Sequence, residues 1–192
     1  MKDEIIQAFE ESIRVKRAFL RDNLEQLMAA IDIIAAALQR GNKLLLFGNG
    51  GSAADAQHIA AEFVNRFLIE RRPLAAVALT TDTSVLTSIA NDYDYRDIFA
   101  RQILALGHTG DVALAISTSG NSGNVLAALA ACKKTGITTI GLSGGNGGKM
   151  RGEVDCLLQV SEGNTSPRIQ ETHILVGHII CDMVDRKLFP TA

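Results

Sequence analysis

A short apolar run, Leu44 to Phe47, stops at Gly48-Asn49-Gly50-Gly51-Ser52 and gives way to an Ala-rich segment carrying His58 and Glu62. This stretch restricts the fold more than any other, because buried strand, glycine turn and helix make a β-loop-α unit, the building block of parallel sheets. Gly48, Gly50 and Gly51 predict a loop that reaches backbone angles closed to other residues and aims amide N–H groups at an anion. Ser52 offers a hydroxyl and a helix cap, and the positive end of the helix dipole faces the same pocket. His58 and Glu62, four apart, fall on one helix face about a turn from each other.

The unit recurs. Val112 to Ile116 runs into Ser117-Thr118-Ser119-Gly120-Asn121-Ser122 and a helix over Val125 to Lys133, with hydroxyls in place of glycines. Ile137 to Gly141 runs into S-G-G-N-G-G-K, which echoes the first loop; no His or Glu follows it, so it reads as structural. Leu74 to Leu79 and Cys156 to Val160 supply two more strands. Helices are expected over about 3–20 and 22–40, the second closed by Gly41-Asn42, over Thr81 to Ala90, over about 95–106, and from Ser166 to about Lys187. Asn91-Asp92-Tyr93-Asp94-Tyr95 should break the chain between two of these, and Ser166 should cap the last, with Pro167 at its first position. The pattern predicts an α/β fold: a three-layer α-β-α sandwich on a five-stranded parallel sheet, one domain over 1–192, with residues 1–40 as two N-terminal helices used in packing or oligomerisation. Ligands of such sheets bind beyond the carboxyl ends of the strands, where the Gly, Ser-Thr and Asn-Asp loops all belong.

Composition removes several functions. A formal net charge of −2 without a basic block argues against a nucleic-acid surface, and Glu70-Arg71-Arg72 reads as a solvated loop. The opening M-K-D-E-I-I-Q is charged and amphipathic rather than a signal peptide, and no apolar run reaches membrane-spanning length, so a cytoplasmic protein is expected. Cys132, Cys156 and Cys181, widely spaced in apolar contexts, read as reduced core thiols. Neither loop carries the Lys of a triphosphate-binding G-x-x-x-x-G-K-[ST] sequence, which favours a simple phosphate ester. Gly48-x-Gly50-x-x-Ala53 meets only the loose dinucleotide pattern, and no acidic residue closes the following strand. Gln170-Glu171-x-His173-x-x-x-x-His178 places polar groups in an otherwise apolar helix, where they need partners. Gln170 and His178 lie about 12 Å apart along the axis, so one ion would take both only if they reached toward each other or came from different subunits.

These residues resemble the sugar isomerase (SIS) domain family, most closely the phosphoheptose isomerases, across nearly the full chain. The shared features are G-N-G-G-S at 48–52, H-x-x-x-E at 58–62, N-D at 91–92, S-T-S-G-N-S at 117–122 and R-I-Q-E-x-H-x-x-x-x-H at 168–178. The resemblance implies that Asn49, Gly50, Gly51, Asn91, Asp92, Ser117, Thr118, Ser119 and Ser122 hold a sugar phosphate, with Glu62 and Gln170 also on the substrate. It implies Glu62 and His178 as the acid–base pair, zinc at His58, Glu62, Gln170 and His178, and a homotetramer with active sites shared between subunits. The implied reaction is sedoheptulose 7-phosphate to D-glycero-D-manno-heptose 7-phosphate, for lipopolysaccharide heptose.

A sister branch of the same fold binds the bacterial replication initiator and does not isomerise sugars. E-R-R-P-L-A-A-V-A-L-T-T-D-T, V-L-T-S-I-A-N-D and Leu188-Phe189-Pro190 look more like that branch, and Pro167 stands where the isomerase pattern has an acidic residue. The sister branch lacks the acid and the second His, whereas this chain keeps Glu62, Gln170, His178 and Ser119. The isomerase is therefore the expectation and initiator binding the alternative.

Overall fold

The structure is a computed structural model that describes residues 1–190. Five strands, β1 (Leu44–Gly48), β2 (Ala76–Ala78), β3 (Val112–Ser117), β4 (Thr138–Gly144) and β5 (Cys156–Val160), form one parallel sheet in the order β2-β1-β3-β4-β5. The helices are α1 (Lys2–Gln39), α2 (Gly51–Val64), α3 (Thr83–Asp92), α4 (Ile98–Leu106), α5 (Gly123–Thr135) and α6 (Ser166–Leu188). Every residue of β1 and β3 is buried, as a sheet covered on both faces requires. Successive β1 side chains enter opposite cores: Leu44 and Leu46 meet α1, α2 and α6, while Leu45 and Phe47 meet the α3–α5 side. The three-layer α-β-α expectation therefore holds. The strand order reverses between β1 and β3, which opens a crevice at their carboxyl ends and sets the two loops side by side.

Two N-terminal helices were expected, and α1 is instead one helix of 38 residues. No Gly or Pro falls near residue 21, and the buried face continues through Val15, Phe19 and Asn23 into Leu27 and Ile31. Asn23 also takes a strand's place beside the edge strand β5. Its Oδ1 accepts from the Gln159 N–H at 2.9 Å and its Nδ2 donates to the Gln159 carbonyl at 3.1 Å, closing an edge that would otherwise be open to pairing. No residue before Val15 is buried, and Ile5, Phe9 and Ile13 are exposed.

Two other boundaries move. The strand expected over Leu74–Leu79 contracts to the three residues that face Leu44–Leu46. Asp82 caps α3 by accepting from the Val85 N–H at 2.9 Å, and the helix runs on through Asn91 and Asp92, so the chain turns at Tyr93 instead. The residue before α6 is Thr165, and neither it nor Ser166 makes a capping side-chain bond. The three cysteines are buried and free, and burial pushes Cys132 up to about 12. No helix among the described residues is long and apolar enough to cross a membrane.

His173 on α6 is fully buried, with Nε2 3.2 Å from the Ser143 carbonyl, to which it donates. Burial pushes its pKa from 6.5 down to about 4. Between those values the unfolded chain binds a proton that the folded one does not. The stabilisation is therefore complete above pH 6.5 and disappears as pH falls through 4, about 3 kcal/mol in all. Denaturant titrations at pH 7 and 4.5 should show most of this loss in the wild type and a flatter dependence in His173→Gln; equal slopes would reject it.

Candidate active site

The first loop leaves β1 at Gly48 and enters α2 through Gly50, the one glycine of its three with positive φ, +55°. Gly48 and Gly51 serve close packing instead: a Cβ on Gly51 would lie 2.6 Å from the Gln170 amide nitrogen. Ser52, expected as a cap, is buried in the first turn and makes no capping bond. The second loop leaves β3 with the Ser117 and Ser122 hydroxyls 3.0 Å apart and Ser119 exposed. The N–H groups of Gly50, Gly51, Thr118 and Ser119 have no protein acceptor among the described residues, so both loops offer donors to an anion.

Asn49 is differently employed. Its amide and that of Asn124 donate to each other's oxygens, both at 2.8 Å, and the Tyr95 hydroxyl donates to Asn49 Oδ1 at 3.2 Å. The side chain thus braces the first loop against the start of α5. Sequence reasoning missed Asn124 and Tyr95, since only the β1–β3 adjacency brings them to Asn49. The glycine-rich turn after β4 is structural, as expected, for a definable reason. Gly148 N–H donates to Asn146 Oδ1, Lys149 N–H to Asn121 Oδ1 and Met150 N–H to the Gly120 carbonyl, so most of its amides are already spent. Asn121 Nδ2 in turn donates to the Ser119 carbonyl, so this turn buttresses the hydroxyl loop.

Two turns down α2, His58 Nε2 lies 3.1 Å from Glu62 Oε1, and His178 Nε2 of α6 lies 3.4 Å from His58 Nε2. α2 and α6 approach closely because Gly177 has no side chain: a Cβ there would meet Ile59 Cδ1 at 2.5 Å. Ile59 and Gly177 each precede or follow a histidine by one residue, so the contact brings the rings together, with centroids 5.0 Å apart. The Phe67 ring stacks on His178 at 5.6 Å. Glu62 Oε2 makes no hydrogen bond among the described residues.

His58, Glu62 and His178 each present a donor atom, all within 4.8 Å of one another. Tetrahedral zinc with bonds near 2.0–2.1 Å spaces its ligand atoms about 3.3–3.4 Å apart. The 3.1 and 3.4 Å separations, with the third pair inside 4.8 Å, fit such an ion. Gln170 stands apart from this trio, against Gly51 of its own chain. Asn91 and Asp92 are exposed at the end of α3, bonded to each other at 2.7 Å.

Two anion-ready loops at a sheet switch point, with a carboxylate and two imidazoles on the adjoining helix pair, define an α/β class that holds an anionic ligand beside acid–base groups. The family model for the SIS domain matches residues 8–144. The phosphoheptose isomerase of Thermodesulfovibrio yellowstonii is 52% identical over 98% of this chain and 94% of its own. That of Clostridium acetobutylicum is 50% identical over 98% and 97%. The solved phosphoheptose isomerase of Neisseria gonorrhoeae superposes with a TM-score of 0.90 at 44% identity, covering 96% of this chain and 98% of that one. The chain belongs to the SIS-domain family, among the phosphoheptose isomerases.

Proposed function

We propose that the protein interconverts sedoheptulose 7-phosphate and D-glycero-D-manno-heptose 7-phosphate in the cytoplasm, supplying heptose for lipopolysaccharide. The observation that carries this reading is the Glu62–His58–His178 cluster, in a chain about half identical to proteins named phosphoheptose isomerase. A ketose–aldose exchange needs a base that moves a proton between neighbouring carbons and a donor for the adjacent oxygen. Glu62 Oε1 faces His58, which leaves Oε2 to carry the proton. His178, held in plane by Phe67, serves the substrate oxygen. A zinc ion at His58, Glu62 and His178 would polarise the same oxygens as a Lewis acid.

The loops carry the phosphate through the amides of Gly50, Gly51, Thr118 and Ser119 and the hydroxyls of Ser117, Ser119 and Ser122. Asn49 acts by bracing these loops, and Asn91 and Asp92 meet the sugar from the rim. The initiator-binding alternative draws support from no feature of this site. Turnover of sedoheptulose 7-phosphate by the purified protein, followed by the appearance of the aldose, tests the reading; no turnover by zinc-loaded protein would end it.

The site is composite. Gly51 and Glu62 are separated by eleven residues of α2, about 16 Å of rise, while a seven-carbon chain has only about 9 Å of C–C bond length. Only an almost fully extended substrate would therefore span from one chain's loops to that chain's own Glu62. A homotetramer packed through the Ile5, Phe9 and Ile13 stripe, which is exposed, would instead set the loops and Gln170 of one subunit against the trio of another. Gln170 then completes the neighbour's zinc site. Ser119→Arg fills the phosphate site and Glu62→Gln removes the base, so each homomer should be inactive. Unfolding and reassembling the two together should restore activity, and a mixture that stays inactive would show that each site is built by one chain.

A further inference from the structure

The segment between α2 and β2 reads from its sequence as a solvated loop, yet the Arg71 side chain is 1% exposed. All three of its guanidinium nitrogens donate. Nε donates to Asp185 Oδ1 of α6 at 2.9 Å, Nη2 to the Glu62 carbonyl at 2.9 Å, and Nη1 to the carbonyls of Phe63 and Asn65 at 2.9 and 3.1 Å. Those carbonyls belong to the end of α2, where backbone acceptors lack helical partners and a cation is favoured by the dipole. α2 has no basic residue in its own last turn, so Arg71 supplies that charge from seven residues beyond the helix. Asp185, 3% exposed, lies two turns after His178 on α6.

One planar fork therefore joins the backbone of Glu62 to the helix that bears His178. The same segment carries Phe67, whose ring lies on His178, and Arg72, whose guanidinium stands 5.7 Å from the Phe189 ring just past α6. Both ends of the strap hold α6 while its middle grips the end of α2. We propose that Arg71 is a positioning residue for proton transfer: with Asp185 it fixes the spacing of Glu62 and His178, and the strap it anchors sets the His178 ring plane through Phe67. Lysine cannot replace it, since one ammonium lacks the fork that reaches two carbonyls on one side and a carboxylate on the other.

The proposal rests on the reading of Glu62 and His178 as the reacting pair, and the test separates the two. Arg71→Met with Asp185→Leu replaces a buried ion pair by apolar groups, an exchange that commonly preserves or raises stability while it breaks the link to Glu62. Arg71→Lys keeps the charge and loses the fork. Both variants, checked for folding and assembly by circular dichroism and sedimentation, should lose about 10- to 100-fold in kcat, the scale of a misplacement near 1 Å. KM, and inhibition by inorganic phosphate, should stay within about twofold, because the phosphate loops lie at the other end of α2. A purely structural pair predicts the reverse: a shifted melting point with kcat unchanged. Wild-type kcat in folded Arg71→Lys, with Glu62→Gln inactive in parallel, would overturn the positioning role alone. Activity retained by Glu62→Gln would overturn the reading of Glu62 and the clamp with it.

Discussion

Glu62→Gln should lower kcat by about 10²–10⁴-fold, the contribution of general acid–base catalysis, while fold and assembly persist. The glutamine keeps the shape of the side chain and an oxygen or nitrogen for His58, at present 3.1 Å from Oε1. If the carboxylate only paired with His58, its removal would cost what a helical i, i+4 pair supplies, about 0.2–0.5 kcal/mol. A hundredfold rate loss corresponds to about 2.7 kcal/mol of barrier, several times more than that pair can account for. Zinc content has to be measured in the same samples, because loss of a ligand could lower the rate without touching the base. With zinc retained and kcat above about a tenth of wild type, below the smallest effect of such a base, Glu62 would not be the proton carrier, and His178 would have to work alone.

What the sequence disclosed and what it concealed divide by range. β1, β3 and the loops after them were legible, because apolar runs that stop at glycines or hydroxyls encode strand and turn within ten residues. His58 and Glu62 were legible as a pair for the same reason, since helical spacing alone puts them on one face. The long helix α1 was not, because a change in which face is apolar, from Ile5, Phe9 and Ile13 to the stripe through Leu27 and Ile31, looks like a break when the partner is unknown. Asn23 on β5, Asn124 on Asn49 and Arg71 on Asp185 span 136, 75 and 114 residues of sequence, and nothing local marks them. Arg71 was also misleading. A Glu-Arg-Arg run before a proline has the composition of a surface loop, and the buried acceptors that draw Arg71 inward belong to a helix end and to another helix. The sheet topology, by contrast, was settled in outline by alternation, and it accounts for why two loops 70 residues apart become one crevice.

Gly120→Ala should damage the phosphate site more than deletion of any single hydroxyl in it. Gly120 adopts φ +63°, and a Cβ there would overlap the carbonyl oxygen of Gly147, which is backbone and cannot rotate away. The β4 turn that holds Gly147 is itself tied back by the Lys149–Asn121 and Met150–Gly120 bonds. To relieve the overlap, the hydroxyl loop must move as a body, carrying Ser119 and the free amides with it. A shift near 1 Å can lower kcat/KM by about 10²-fold. Gly145→Ala provides the control. Its φ is +58°, and no atom lies within 4 Å of the added methyl, so it carries the left-handed strain without the collision. That strain is about 1–2 kcal/mol, which should appear in the melting point of both variants. Only Gly120→Ala should also lose affinity for inorganic phosphate and for the sugar phosphate. If the two variants melted alike and bound phosphate alike, the β4 turn would not be the buttress of the loop, and the position of Ser119 would have to be set by Asn121 and the Ser117–Ser122 contact alone.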